Sequence, residues 1–268
     1  MNFGMIKLTA ADALVTTPVS ASTLDKELAA DLADRLGSVF YTRGKNTISD
    51  LARSCRVKAA VVVSSEEIHL VYQGQRYGFH PNMALHRVLS LKKGDRDRLV
   101  QAADLKAGDS FLDCTCGLGA DAVVAAYTAG KQGKVQALEA SPLLSTIVWF
   151  GLGNYRHKEG ALVEAMGRIA VVNADYARYL PELETNSWDV VYFDPMFEKT
   201  FSATKSMDLV HILGSDSLPT FETIKQARRV ARRSVVIKDR YPGNFLKSMD
   251  VPIISNVKRI LYGRLKAF

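Results

Sequence analysis

The chain is short of the features that mark several protein classes. It has three cysteines, Cys55, Cys114 and Cys116. They are too few for a disulfide framework and lack the paired spacing of a zinc site, so no metal centre is expected. No apolar run reaches the roughly 18 residues that a membrane-spanning helix needs, and the N-terminus has no charged stretch leading into an apolar one. A cytoplasmic protein without a membrane partner is therefore expected. Internal repeats and low-complexity linkers are also missing. What is present, 47% hydrophobic and 24% charged residues over 268 positions, is the composition of a globular protein. That length accommodates a large core domain with a smaller companion.

Charge is unevenly spread. Residues 1–108 carry fifteen Lys and Arg against eleven Asp and Glu, residues 109–220 eight against fourteen, and residues 221–268 twelve against three. The basic end suggests a polyanionic partner or a solvated helix face. In "TFETIKQARRVARR", Lys225, Arg228, Arg229, Arg232 and Arg233 recur every three or four residues, which predicts one charged helix face suited to RNA phosphates. A second group, Arg87, Lys92, Lys93, Arg96 and Arg98, is partly neutralised by Asp95 and Asp97.

From residue 110 onward, "SFLDCT", "KVQALEA", "RIAVVNAD", "WDVVYFD" and "RSVVIKD" read as buried strands, separated by segments of helical spacing. That alternation predicts an α/β fold with a doubly wound, mostly parallel sheet. Two further strands in "VPIISNVKRILYGRLKAF" should meet near Tyr262 and Gly263. The expected organisation is a small N-terminal α/β domain over residues 1–80, a helical connector over 81–108 and the sheet domain over 109–268. Within the first part a strand is expected near "VFYTR".

In such sheets ligands meet the carboxyl ends of the strands. The first strand of the large domain runs into "DCTCGLGADA", where Gly117 and Gly119 let backbone approach a ligand. Glu139, twenty residues beyond Gly119, ends the second strand, where a carboxylate can accept from both hydroxyls of a ribose. Gly117, Gly119 and Ala122 also fit dinucleotide spacing. Asp121, in the first helical turn, would however oppose a pyrophosphate there, and an ammonium-bearing nucleoside such as S-adenosylmethionine is more comfortable. Asp175, ending the third strand, can accept from an adenine amino group, cap the next helix, or do both.

"YFDPMF" closes the fourth strand at the same crevice. Asp194 and the Pro195 carbonyl could each accept an N–H of a planar amine, with Phe197 stacked on its ring; the alternative is an ordinary strand-end turn.

The order and spacing of "DCTCGLGADA", "LEASP", "NAD" and "YFDPMF" resemble a class I S-adenosylmethionine-dependent methyltransferase, and G-L-G-x-D-A paired with D-P-M-F is similar to the RsmJ family. The resemblance covers roughly residues 80–245. It implies methylation of a guanine N2 in small-subunit ribosomal RNA, with ribosomal RNA or the small subunit as partner and S-adenosylmethionine as methyl donor. It assigns Gly117, Gly119, Glu139 and Asp175 to the cofactor, with Asp113 at the head of the loop as a further candidate, and Asp194, Pro195 and Phe197 to catalysis. Two positions depart from the family pattern, Cys116 in place of alanine and Glu198 in place of proline. A methyltransferase for a small-molecule or protein amine is the alternative reading, and a nicotinamide-dependent or non-catalytic nucleotide-binding protein a third.

Overall fold

The computed structural model describes residues 7–196 and 205–268. The strands are β1 (Ala13–Thr16), β2 (Ala59–Val63), β3 (Ile68–Tyr72), β4 (Gln75–Gly78), β5 (Ser110–Asp113), β6 (Lys134–Glu139), β7 (Ile169–Asn173), β8 (Trp188–Phe193), β9 (Ala231–Arg240), β10 (Ile253–Val257) and β11 (Ile260–Lys266). The helices are α1 (Thr23–Leu36), α2 (Ile48–Ser54), α3 (Asn82–Lys92), α4 (Arg98–Ala103), α5 (Ala120–Ala129), α6 (Pro142–Asn154), α7 (Gly160–Gly167), α8 (Tyr176–Tyr179), α9 (Lys205–Leu213), α10 (Phe221–Val230) and α11 (Asn244–Ser248). None of the described helices is long and apolar enough to cross a membrane.

The chain divides into two compact units, residues 1–80, 141–155 and 201–214 in the first, and residues 81–140, 156–200 and 215–268 in the second. Residues 81–108 thus fall in the second unit, and two later segments fall in the first.

The first unit holds a four-stranded sheet ordered β1-β2-β3-β4, with β1 and β2 parallel and the rest antiparallel. "AAVVV" in β2 is buried at every position, as a central strand covered on both faces requires. The strand expected near "VFYTR" is reduced to a single bridge between Val15 and Phe40. Helix α6 lies against β3 and α9. A Cβ on Gly151 would come within 2.2 Å of the Phe79 ring, so the helix backbone and that ring meet directly.

The second unit holds seven strands ordered β10-β11-β9-β8-β5-β6-β7. The five strands expected to be parallel are parallel, and β11 runs antiparallel between β9 and β10. The chain order reverses between β5 and β8, which places a topological switch at the carboxyl ends of those two strands. Phe193, Val191, Leu112 and Ile237 join Ile224, Ala227, Phe245 and Leu246 in a core on one face of the sheet. The expected connector breaks into α3 and α4, because Asp97 takes the N-cap of α4 and accepts from the N–H groups of Leu99 (2.9 Å) and Val100 (3.3 Å).

The terminal hairpin turns at Lys258–Arg259 rather than at Tyr262–Gly263. Both turn residues have positive φ, 51° and 65°, between the paired Val257 and Ile260, the backbone a two-residue hairpin loop demands. Gly263 instead lies inside β11, where an added Cβ would meet Leu246 at 2.5 Å.

Candidate active site

The site forms where β5, β6 and β8 end together. After β5 the chain is pinned on both sides: Cys114 N–H donates to the Tyr192 carbonyl and Cys116 N–H to the Leu138 carbonyl, each at 2.9 Å. It then turns through Gly117 (φ 51°) and Gly119 (φ 74°), and Gly119 serves as N-cap of α5. A side chain at either position would be strained in this left-handed backbone. Cys114 and Cys116 are buried, and burial pushes both thiols well above their usual range.

Glu139 reaches back to this loop. Its Oε2 accepts the Gly117 N–H at 3.1 Å, while its backbone carbonyl accepts from Asn173 Nδ2 (2.8 Å) and Ala174 N–H (3.0 Å). The ends of β5, β6 and β7 are thereby stitched together. Asp175 is exposed and caps α8, accepting the Ala177 N–H at 2.7 Å.

Asp113 closes β5 and is 1% exposed. Its Oδ1 accepts the Thr115 N–H at 2.9 Å, and its Oδ2 has no partner among the described residues. Burial, with the neighbouring Asp121 and Asp194 carboxylates, pushes its pKa up to about 8. Thr115 in turn accepts the Asp194 backbone N–H at 2.6 Å, tying the loop to the end of β8.

The charged groups form a chain. Arg87 on α3 holds Asp97 through two bonds, Nε to Oδ2 at 2.8 Å and Nη2 to Oδ1 at 3.0 Å, and donates Nη1 to Asp121 Oδ1. Asp121 Oδ2 accepts the Tyr192 hydroxyl at 2.8 Å and Lys238 Nζ at 3.2 Å. Lys238 continues to Asp194 Oδ2 at 2.6 Å. Burial alone would raise the Asp121 pKa, but Lys238 and Arg87 hold it well below the carboxylate range. Burial also works against a charged Lys238, yet the carboxylates of Asp121 and Asp194 keep it protonated. Asp194 is shifted upward by burial, with Asp121 adding to the shift and Lys238 opposing it. A third of its side chain stays open to solvent.

The structure therefore brings Asp113, Gly117, Gly119, Glu139, Asp194 and Pro195 to one end of the sheet. Phe197 and Glu198 lie outside the described residues. Arg87, Thr115, Tyr192 and Lys238 belong to the same cluster but were not among the sequence candidates. The available signal was a lysine closing the apolar run "VVIK" at the carboxyl end of a central strand.

The basic residues do not share one helix face. Helix α10 ends at Val230, and Arg232 and Arg233 lie on β9, because Ala231 is extended and pairs with Trp188. The β-branched run Val235–Ile237 that follows favours the strand. Arg229 donates to the carbonyls of Leu180, Pro181 and Leu183, and Arg233 binds Asp109. Arg228 stacks on Phe268 at 4.0 Å, and Lys225 pairs only loosely with Glu222 (3.7 Å) on its own helix.

A glycine turn at the switch point, an acid ending the neighbouring strand and an antiparallel β11 define a class I S-adenosylmethionine-dependent methyltransferase fold. The chain belongs to the family described as "Putative SAM-dependent methyltransferase", which it matches over residues 50–262. It is 36% identical over 229 residues to "Uncharacterized protein YpiP" of Bacillus subtilis, covering 85% of this chain and 89% of that protein. It is 30% identical over 161 residues to "Ribosomal RNA small subunit methyltransferase J" of Acinetobacter baumannii, covering 54% of this chain and 56% of that protein. Among solved structures it is similar in fold to the SAM-dependent methyltransferase NGO1261 from Neisseria gonorrhoeae, with a TM-score of 0.60, 14% identity, and 95% and 96% of the two chains covered.

The enzyme is a methyltransferase that uses S-adenosylmethionine, and the donor set fits that molecule. Asp113 Oδ2 is a buried oxygen without a partner among the described residues, suited to a cationic ligand, and Asp121 in the first turn of α5 disfavours a phosphate there.

Proposed function

We propose that this enzyme methylates an exocyclic amine of a nucleobase, the guanine N2 of small-subunit ribosomal RNA, in the cytoplasm. The observation that carries this reading is the position of Asp194. It lies at the carboxyl end of β8 next to the glycine turn, its backbone fixed by Thr115 and its Oδ2 by Lys238, with a third of the side chain open. The name of the Acinetobacter baumannii relative supplies the ribosomal RNA.

Asp113, Gly117, Gly119, Glu139 and Asp175 would hold the cofactor. Glu139 would accept from the ribose hydroxyls, Asp175 from the adenine amine, and Asp113 from the ammonium. S-adenosylmethionine, once bound, supplies an electrophilic methyl group on a cationic sulfur. Asp194 and the Pro195 carbonyl accept the two amine N–H groups, which orients a nitrogen whose lone pair is otherwise delocalised into the ring. A raised Asp194 pKa makes its carboxylate a better acceptor for the departing proton, and Phe197 would stack on the base. A duplexed base could not present its amine, so the target is unpaired or flipped, at a cost of a few kcal/mol. Exposed Lys225 and Arg232 would offset part of that cost through phosphate contacts elsewhere on the strand, Arg229 and Arg233 being held by internal partners.

The test is nucleoside mass spectrometry of ribosomal RNA from cells lacking the protein, followed by methylation of that RNA in vitro. Loss of N2-methylguanosine, restored by the wild type and not by Asp194→Asn, is expected. Asp194→Asn should keep its affinity for S-adenosylhomocysteine, because its partner is the acceptor amine. An unchanged nucleoside profile, with methylation of a small-molecule or protein amine instead, would overturn the ribosomal assignment.

A further inference from the structure

A second polar cleft lies in the same unit at the opposite end of β9. It has a volume of about 450 Å³ and is walled by the start of β9, the end of β11 and Asp104 at the C-cap of α4. Ser234 pairs with Lys266 across the β9–β11 ladder, and Val236 pairs with Arg264. Alternate residues of a strand share a face, so Ser234, Lys266 and Arg264 point to the same side. Ser234 is four residues before Lys238, about 13 Å along the strand. The cleft is therefore separate from the Asp194 crevice.

Its unmatched groups are all donors. Arg233 and Arg232 have carboxylate partners, Asp109 at 2.5 Å and Asp189 at 3.4 Å, and Asp104 is matched by Lys106 at 3.1 Å. Lys266 Nζ makes no hydrogen bond or ion pair among the described residues. Among the described residues Arg264 makes one long hydrogen bond, 3.4 Å, to the Ala102 carbonyl, and it acts on the Asp104 carboxylate at longer range without an ion pair, Asp104 being held by Lys106. Beneath them, the Ser234 hydroxyl, on a residue 3% exposed, and the buried Arg233 Nε have no partner among the described residues. Among the described residues, two cations without an ion pair and two buried donors without acceptors line one cleft. A buried donor left unmatched is costly, and an oxyanion with several acceptor atoms would satisfy all four at once.

We infer that this cleft is a phosphate-binding site in which Arg264, Lys266, Ser234 and Arg233 Nε receive the oxygens of one phosphate group. The inference stands apart from the identity of the methyl acceptor. The phosphate could belong to a polynucleotide strand or to a free phosphomonoester, and the two sources separate experimentally. The full chain is titrated calorimetrically with inorganic phosphate and with a short oligoribonucleotide, in the wild type, in Ser234→Ala and in Arg264→Ala/Lys266→Ala. The double variant should lose affinity for one of the probes by about tenfold or more, while S-adenosylhomocysteine affinity and melting temperature stay unchanged. If the oligoribonucleotide is the probe that weakens, with a salt dependence shallower by about two charges, the site holds a strand phosphodiester. If inorganic phosphate weakens and the oligoribonucleotide does not, it holds a free monoester. Equal affinity for both probes in the wild type and a folded double variant would overturn the inference. Should the double variant fail to fold, the surface variant Lys266→Glu serves the same comparison.

Discussion

Replacing Asp113 by Asn tests the buried acid directly. The change keeps the side-chain shape and the acceptor for Thr115 N–H, and removes the titration together with the negative charge offered to a cationic ligand. The wild-type carboxyl moves from an ordinary value of 3.8 to about 8 on folding. Between those limits the folded chain holds a proton that the unfolded chain has released, so stability from this group is full in acid and is lost as pH rises through about 8. At ~1.4 kcal/mol per pH unit, moving from pH 5.5 to pH 8.5 should cost the ligand-free wild type about 3 kcal/mol through this residue alone. Asp113→Asn should escape that loss. By scanning calorimetry the difference in melting temperature between wild type and variant should change by roughly 6–12 °C across that interval, the other titrating groups cancelling in the comparison. A cationic ligand next to Asp113 drives its proton off. S-adenosylhomocysteine binding near pH 7 should therefore release a proton in the wild type, measurable by calorimetry in buffers of different ionisation heat, and release less in the variant. Parallel pH profiles of stability for the two proteins would show that Asp113 does not hold a proton in the folded chain.

Other outcomes follow from the same geometry. Glu139→Ala should weaken S-adenosylhomocysteine binding by roughly ten- to a hundredfold, since a lost polar partner costs about 1–3 kcal/mol; equilibrium titration of the folded variant checks it, and unchanged affinity removes Glu139 from the site. Lys238→Met leaves Asp121 and Asp194 without their shared cation. Denaturant unfolding should show a loss of about 3–5 kcal/mol, and the pH–rate profile of methyl transfer should move upward as Asp194 becomes harder to ionise. A profile that does not move would show that Lys238 only packs.

The parallel sheet was legible because its strands are short apolar runs that end at or near acids, with helical spacing between them. The hairpin was legible as two strands, but its turn was not: Gly263 resembles a turn residue, whereas the turn is made by Lys258 and Arg259, two residues that seldom adopt positive φ. The basic segment misled for a related reason. A three-to-four-residue charge pattern continues through "RRVARR", yet the pairing of Ala231 with Trp188 ends the helix in its middle. Tertiary pairing overrode local spacing at both places.

In the site, the residues whose place was legible were those whose position along a strand determines where they go: Asp113 and Glu139 end strands, Asp194 follows one, and Gly117 and Gly119 occupy the turn. Arg87, read as one of a basic group, and Lys238 escaped because a cation in a sequence reads as surface, and only the fold shows that α3 and β9 turn them onto the same aspartate. Their presence changes the electrostatic argument. Asp97, Asp113, Asp121 and Asp194 face two cations, Arg87 and Lys238, so the cluster is negative even when Asp113 keeps its proton. A dinucleotide would bring two more phosphate charges to this place and pay for them by Coulomb repulsion at short range. A sulfonium with an ammonium group brings positive charge instead, and allows Asp113 to ionise without leaving an unpaired charge in the interior.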